Sequence, residues 1–329
     1  MADSFKRVND LAEVEERRPI FLAIGVFDGV HRGHQHLLQT MVAEARAAGA
    51  IPAVLTFFPH PKVVIQGLEG RIYLTTLERR VRLLAAQGID LVVVHPFSEA
   101  VRNTRAAAFI DRLCRHLDLR QLWGGSFSLG YKREGDAAYL QKVGKEKGFT
   151  VHLIQELVQW RGERVSSSRI RHALAQGDME EVNGCLDRAF CVDGKVIVGD
   201  RRGHMIGFPT ANLDVWEQQL LPGNGVYATY AGLGEEKFAA ATNVGIRPTV
   251  ADPRLSVEAH LLNFDREIYG ETLALEFIAH IRDERKFPSL DALKAQITAD
   301  VTQAKELLLK PGAGTATYTE SPSQGLVSG

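Results

Sequence analysis

Several things are scarce in this 329-residue chain, and each shortage excludes something. It has three cysteines, Cys114, Cys185 and Cys191, an odd number without zinc-ligand spacing, which argues against a disulfide framework or a zinc site. Cys114 falls in a helical pattern as a small core residue. Cys185 and Cys191 are six apart, so a pair is open, although reduced thiols in a cytosolic protein are the better expectation. No apolar run approaches the length of a membrane span. The first residues carry Lys6, Arg7, Glu13, Glu15, Glu16, Arg17 and Arg18 without an apolar stretch, so no secretory signal is expected. The chain reads as cytoplasmic, with no membrane partner. An excess of one charge is missing too: 39 Lys and Arg face 40 Asp and Glu, a net charge of −1, so no nucleic-acid partner is expected. Internal repeats are absent. What remains, 45% hydrophobic and 24% charged, is the balance of a globular protein, and the length favours two domains.

The two halves have different periods. From residue 20 to about 158, apolar strands alternate with helices. Ile20–Phe27, Ile51–Phe57, Ile89–His95, Gln121–Trp123 and Phe149–Ile154 read as strands. Helices are expected with the stripe Leu37, Leu38, Met41, Val42 and Ala45, from a capping box at Thr75–Glu78 through Gln87, and over Arg105–Leu117 and Asp136–Lys147. This predicts a doubly wound parallel α/β domain over residues 1–186, with ligands beyond the carboxyl ends of its strands. Over 187–310 the short runs Val192–Val198, Gly225–Ala231, Phe238–Val244, Leu255–Phe264 and Thr272–Ile278 suggest a small antiparallel β-barrel. A helix over Ser289–Leu308 follows, its apolar set Leu290, Leu293, Ile297, Val301 and Leu307. Residues 311–329, rich in Gly, Ser, Thr and Pro, are expected to be a disordered tail.

The most informative string is Gly25-Val-Phe-Asp-Gly-Val-His-Arg-Gly-His-Gln-His36. A strand, a glycine turn and a helix opening set free backbone N–H groups and the positive end of a helix dipole beside two imidazoles. His31 and His34, at i and i+3, can point the same way and donate to developing charge on phosphate oxygens. Gly33 allows close backbone approach. His36 reads as an ordinary helix residue. Asp28 either caps the turn or orients a histidine or Mg²⁺. In the second half, Gly203-His-Met-Ile-Gly-Phe-Pro-Thr-Ala-Asn-Leu213 is the telling segment. Gly207 and Pro209 make a turn. Thr210 and Asn212, at i and i+2 in extended chain, offer two hard oxygens to one side, which suits Mg²⁺ held jointly with ATP phosphates.

The first string resembles the H-x-G-H nucleotidyltransferases. In its longer form it is more narrowly similar to the bacterial bifunctional riboflavin kinase/FAD synthetase (FMN adenylyltransferase) family. Further strings agree with that family in order: Thr56-Phe-Phe-Pro-His-Pro61, Gly124–Gly130 with Arg133–Asp136, Ser166-Ser-Ser-Arg-Ile-Arg171, Gly207–Asn212, Asn243–Thr249 and Val257–Asp265. The resemblance implies two ATP-dependent steps, riboflavin to FMN in the second domain and FMN to FAD plus pyrophosphate in the first, with Mg²⁺ as cofactor and ATP as co-substrate. It implies that Gly25, Phe27, Asp28, Gly33, Ser167, Ser168, Arg171, Gly203 and Gly207 contact nucleotide. Phe58, His60, Pro61, Ser126, Asn243 and Arg247 would contact flavin. Thr210 and Asn212 would hold the metal. Glu258 would accept the riboflavin 5′-hydroxyl proton, and His31 and His34 would serve adenylyl transfer. The run Arg282–Phe287 resembles a flap over the flavin. The sequence departs from the pattern at Ser126, where the family has Asp or Asn, at Ser128 and Leu129, and at His204, where arginine is common. Ser126 leaves a second reading open, a kinase whose adenylyltransferase half is weak. A flavin-sensing regulator without catalysis is a third, disfavoured by Thr210, Asn212 and Glu258 together. The expected state is a monomer or weak homo-oligomer.

Overall fold

Strands rich in Val, Ile and Leu without polar alternation need cover on both faces. A computed structural model shows how the chain provides it; the described residues are 5–154, 158–199, 203, 206–247 and 254–309, with the side chains of Arg247 and Arg254 outside that set. His204 and the tail from 311 also lie outside the described residues. The chain divides into two compact units, Met1–Ser166 and Ser167–Gly329.

The first unit runs β1 (Lys6–Val8), β2 (Pro19–Gly25), α1 (Arg32–Ala47), β3 (Ile51–Phe58), α2 (Pro61–Gln66), α3 (Leu77–Ala85), β4 (Leu91–Pro96), α4 (Glu99–Arg102), α5 (Ala106–His116), β5 (Asp118–Gly124), α6 (Ala137–Lys147), β6 (Thr150–Leu153) and a small hairpin of β7 (Gln159–Trp160) and β8 (Glu163–Arg164). The six-stranded sheet has the order β1-β4-β3-β2-β5-β6 and every pairing in it is parallel. Alternate residues of β2 feed two cores. Phe21 and Ala23 pack with Leu38 and Met41 of α1 and Leu84 of α3, whereas Ile20, Leu22 and Ile24 pack with Phe109 and Leu113 of α5 and Leu140 of α6. Each such fully buried aliphatic side chain contributes roughly 1.5–3 kcal/mol. Successive strands step outward from β2 to β3 and β4, and β5 returns to the other side of β2. The order therefore reverses between β2 and β5, and the carboxyl ends there form the crevice that doubly wound sheets use for ligands.

The second unit begins with α7 (Ser167–Ala175) and α8 (Met179–Leu186) and continues through β9 (Phe190–Ile197), β10 (Ala211–Val215), β11 (Gly225–Leu233), β12 (Glu236–Arg247), β13 (Arg254–Leu261), β14 (Thr272–Arg282) and α9 (Leu290–Leu308). The strands close an antiparallel barrel in the order β10-β13-β12-β11-β14-β9, β9 pairing back onto β10. Val257, Ala259, Val244, Tyr227 and the bonded pair Thr229–Thr242 (2.7 Å) are buried; their alternating neighbours form the barrel's outer face. Ala304 and Leu308 of α9 pack there on Ala228 and Ala241, and Tyr230 Oη donates to Leu308 O at 2.7 Å.

Two local expectations change. The α3 helix is capped by Thr76, whose side chain accepts from Arg79 N, rather than by Thr75; Thr75 N is drawn instead to Asp28 Oδ1 at 3.3 Å. Residues 211–215 are a sixth barrel strand, hidden in the sequence behind the Gly207 and Pro209 turn signals. The helices α7 and α8 fall within the second compact unit. Asn183 on α8 donates to Phe277 O at 2.9 Å and accepts from Phe190 N at 2.8 Å. Cys114, Cys185 and Cys191 are all free thiols.

Candidate active sites

The first site is built where β2 ends. Phe27 and Val30 take left-handed backbone (φ 52° and 39°), folding the chain back so that the Phe27 ring covers Gly25, where a Cβ would come within 3.0 Å of it. His31 is then the N-cap of α1, its Nδ1 accepting from His34 N at 3.3 Å. A nitrogen that accepts carries no proton, so Nε2 is the His31 ring nitrogen left to donate. The His31 and His34 rings stack at 3.7 Å and 13°, and Phe27 meets His34 edge-on at 5.2 Å. Gly33 leaves room for this: a Cβ there would sit 3.3 Å from His31 Cε1. Two imidazoles thus share one place at the start of a sixteen-residue helix.

The neighbouring loops differ in what they expose. Asp28 is turned inward, 2% exposed, and accepts from Leu74 N at 3.0 Å and Thr75 N at 3.3 Å. That is an anchoring environment. After β3, across a cis Phe58–Pro59 peptide, His60 caps α2: its Nδ1 accepts from Lys62 N at 3.0 Å, and its own N donates to Tyr73 Oη at 2.8 Å. Pro61 occupies the first turn of α2 and Phe58 lies 5.7 Å from the Tyr73 ring. Ser126 is exposed in the loop after β5, beside Phe127, whose ring fills the space a Gly124 Cβ would need. Ser167 and Ser168 open α7 in the second unit, Arg171 follows one turn on, and Arg169 between them pairs with Glu181 of α8.

The second site is a row across the outer face of the barrel. Strand register places Val226, Asn243, Glu258, Asn212 and Ile197 opposite one another on β11, β12, β13, β10 and β9. Directly opposed side chains share a face and stand roughly 5 Å apart at Cβ. Glu258 therefore sits between two carboxamides. Asn212 is 7% exposed and held tightly: a Cβ on Gly199 would come 2.3 Å from its Nδ2. Gly203 packs equally closely, its notional Cβ 2.3 Å from Phe208 O and 3.4 Å from Thr210 Oγ1. Gly207 has φ 87° in an open turn. His260, two residues beyond Glu258, bonds through Nδ1 to Pro209 O at 2.7 Å and meets Phe208 edge-on at 5.5 Å, tying the Thr210 segment to β13.

A cavity of about 340 Å³ opens beside this row, lined by Phe208, Asn243, Glu258, Phe287, Leu293 and Ile297 among others. The segment after β14 forms one wall. Arg282 grips Asp300 of α9 through Nε and Nη2 at 2.8–3.1 Å, Gln296 Nε2 adds a bond to Asp300 at 2.7 Å, and Arg282 and Arg285 lie over the Phe287 ring at 5.6 and 5.0 Å. Among the described residues no group of three or more His, Cys, Asp and Glu side chains forms a metal cage.

Two family descriptions match the chain in succession, FAD synthetase over residues 13–169 and Riboflavin kinase over 186–308. A bifunctional riboflavin kinase/FMN adenylyltransferase of Escherichia coli K12 is 40% identical over 295 residues, covering 88% of this chain and 94% of that one. The chain belongs to the bifunctional riboflavin kinase/FMN adenylyltransferase family. Its relative in Bacillus subtilis is 33% identical over 88% of this chain and 93% of its own. A crystal structure titled as a macrolide-efflux protein from Streptococcus pneumoniae superposes with a TM-score of 0.83 at 26% identity, covering 92% of this chain and 99% of that one. Efflux is said of that protein. Here no helix among the described residues is long and apolar enough to cross a membrane, and the two family descriptions account for the two units.

Against this family frame, the residues that sequence reasoning missed are those whose role depends on spatial neighbours: Gly199 behind Asn212, His260 behind Pro209, Asp300 behind Arg282, and Arg80 near Asp28. Glycine at 199 was the one available signal, and without the fold it reads as another turn.

Proposed function

We propose that the protein makes FMN and FAD in two steps at two sites, assigned to residues 187–310 and 1–186. In the barrel, Glu258 accepts the proton of the riboflavin 5′-hydroxyl as that oxygen attacks the γ-phosphorus of ATP and ADP departs. The cavity beside Glu258, with Phe208, Phe287, Leu293 and Ile297, suits an isoalloxazine ring, and Asn243 stands on its polar side; Arg247, whose side chain lies outside the described residues, is assigned to the flavin by the family resemblance alone. Thr210 and Asn212 supply neutral oxygens, a donor set that fits Mg²⁺ bound chiefly by ATP phosphates. When bound, that ion neutralises charge on the transferring phosphoryl group. Gly203 and Gly207 let the nucleotide approach the backbone.

In the sheet unit a phosphate oxygen of FMN attacks the α-phosphorus of a second ATP, and pyrophosphate departs. His31 and His34 donate to the phosphoryl oxygens, assisted by the N–H groups of the first turn of α1. Gly25, Phe27 and Gly33 shape that turn, and Asp28 holds it from behind. Ser167, Ser168 and Arg171, at the opening of α7 in the second unit, are assigned to nucleotide by the family resemblance alone. Phe58, His60, Pro61 and Ser126 stand on the flavin side. We place the enzyme in the cytoplasm, as a monomer or weak homo-oligomer acting on small molecules.

The observation that carries this reading is the Asn243–Glu258–Asn212 row against a cavity of flavin size. Purified protein given riboflavin, ATP and Mg²⁺ should yield FMN, then FAD, on chromatographic separation. Glu258→Ala should bind riboflavin and fail to phosphorylate it. Formation of FMN without FAD or pyrophosphate would leave the kinase assignment and remove the adenylyltransferase one.

A further inference from the structure

A charged side chain with no exposure needs a reason to be there, because a buried cation is costly to desolvate and an apolar residue of similar volume is often at least as stable. Arg80 on α3 is such a residue, 0% exposed. Its Nη1 donates to Val26 O at 3.2 Å and to Phe57 O at 3.3 Å, and its Nη2 lies 3.9 Å from Asp28 Oδ1. The two carbonyls belong to the chain just where β2 and β3 run out. His31 is five residues beyond the first and His60 three beyond the second. The same Asp28 carboxylate holds Leu74 N and Thr75 N. Tyr73, whose ring lies 5.7 Å from the guanidinium carbon, accepts from His60 N. Three segments of the carboxyl edge, 26–28, 57–60 and 73–75, converge on one guanidinium.

We propose that Arg80 is a positioning residue for adenylyl transfer, fixing the His31–His34 turn and the His60 turn relative to each other; this rests on the reading of the sheet unit's site given above. The planar fork matters as much as the charge. A lysine ammonium is a point donor on a flexible stem and does not reproduce contacts to two carbonyls and a carboxylate in fixed directions. Small displacements of groups that stabilise a transition state reduce turnover more than they reduce ground-state binding.

The test uses the full chain, in which riboflavin phosphorylation by the barrel is an internal standard. Arg80→Lys should fold, keep the kinase rate, and lower kcat for FAD formation by about 10- to 100-fold, with KM for ATP changed by less than about 3-fold. Should Arg80→Lys fail to fold, Tyr73→Phe, which removes only the hydroxyl bonded to His60 N, carries the test, with an expected kcat loss of about 3- to 10-fold. Unchanged adenylyl kcat in the folded variant, whatever happens to its thermal midpoint, overturns the proposal: in Arg80→Lys it leaves Arg80 a purely structural residue, and in Tyr73→Phe it shows that adenylyl transfer does not need the His60 turn fixed. His34→Ala in parallel separates the two ideas. If His34→Ala keeps the native rate of FAD formation, the site reading itself is wrong and Arg80 falls with it. If His34→Ala is inactive while the Arg80 or Tyr73 variant is unimpaired, only the positioning role is lost.

Discussion

Gly199→Ala is a small change with a large expected effect confined to one of the two activities. The added Cβ would stand 2.3 Å from Asn212 Nδ2, 2.5 Å from its Cγ and 2.8 Å from its Oδ1. Ordinary carbon contacts begin near 3.4 Å, so the overlap with Nδ2 is 3.4 − 2.3 = 1.1 Å. Asn212 lies on β10 between Ile197 and Glu258 and is 7% exposed, so its carboxamide must rotate away from the position in which we propose that it serves phosphate and metal. Misplacing a group by about 1 Å costs on the order of 100-fold in rate, or about 2.7 kcal/mol. Riboflavin phosphorylation, followed by separation of FMN, should fall by about that factor, while conversion of supplied FMN to FAD on the same sample stays native. If the loss runs through Asn212, combining Gly199→Ala with Asn212→Ala should cost little more than Asn212→Ala alone. A Gly199→Ala enzyme that phosphorylates riboflavin within about 3-fold of native would show that Asn212 has no role needing that position.

Gly33→Ala is the milder counterpart in the other unit: its Cβ meets His31 Cε1 at 3.3 Å and Nδ1 at 3.4 Å, so the ring yields by only tenths of an ångström, and FAD formation should slow by about 3- to 10-fold with kinase activity intact. His260→Phe removes the bond to Pro209 O, worth about 0.5–1.5 kcal/mol; KM for ATP in riboflavin phosphorylation should rise by about 2- to 10-fold, and an unchanged KM would show that the bond does not steer Thr210. Burial pushes the His95 imidazole below its ordinary pKa against the pull of nearby Asp10, with Arg112 adding to the push. The unfolded chain therefore takes up this proton more readily than the folded one, so stability is full above the ordinary histidine value and is lost as pH falls through it towards the folded value. His95→Phe should flatten the acid limb of thermal stability between neutral pH and pH about 5, and an unaltered limb would mean that another group sets it.

The sheet was legible because its strands are apolar runs and its connections are helices, and that pairing of patterns has few solutions. The H-x-G-H turn was legible because helix capping and phosphate binding ask for the same geometry in a short stretch of chain. Glu258 stood out as a candidate base only through its flanking string. Alternation puts it on a strand face beside His260, where a carboxylate is as easily solvated as catalytic. What singles it out is Asn212 on one side and Asn243 on the other, from strands 46 positions before it and 15 before it. Strand β10 went unread for the same reason, since its sequence follows two strong turn residues and only the pairing with β9 and β13 makes it a strand.

The C-terminal helix shows most clearly why a stripe is not a core. Leu290, Leu293, Ile297, Val301 and Leu307 recur at helical spacing, which says that something covers that face without saying what. In the fold they divide three ways. Leu290 is 56% exposed, Leu293 and Ile297 line the cavity beside Glu258, and Val301 and Leu307 pack with Ala228 and Ala241 on the barrel. An aromatic ligand and a hydrophobic core ask the same thing of a helix, so the periodicity cannot separate them. The polar residue on that helix does. Asp300 is a buried carboxylate gripped by Arg282, and this pair fastens the wall that carries Phe287 to the helix. An ion pair at that depth is poor value for stability alone, and its position argues that α9 is there to hold one side of a pocket open as much as to close a core.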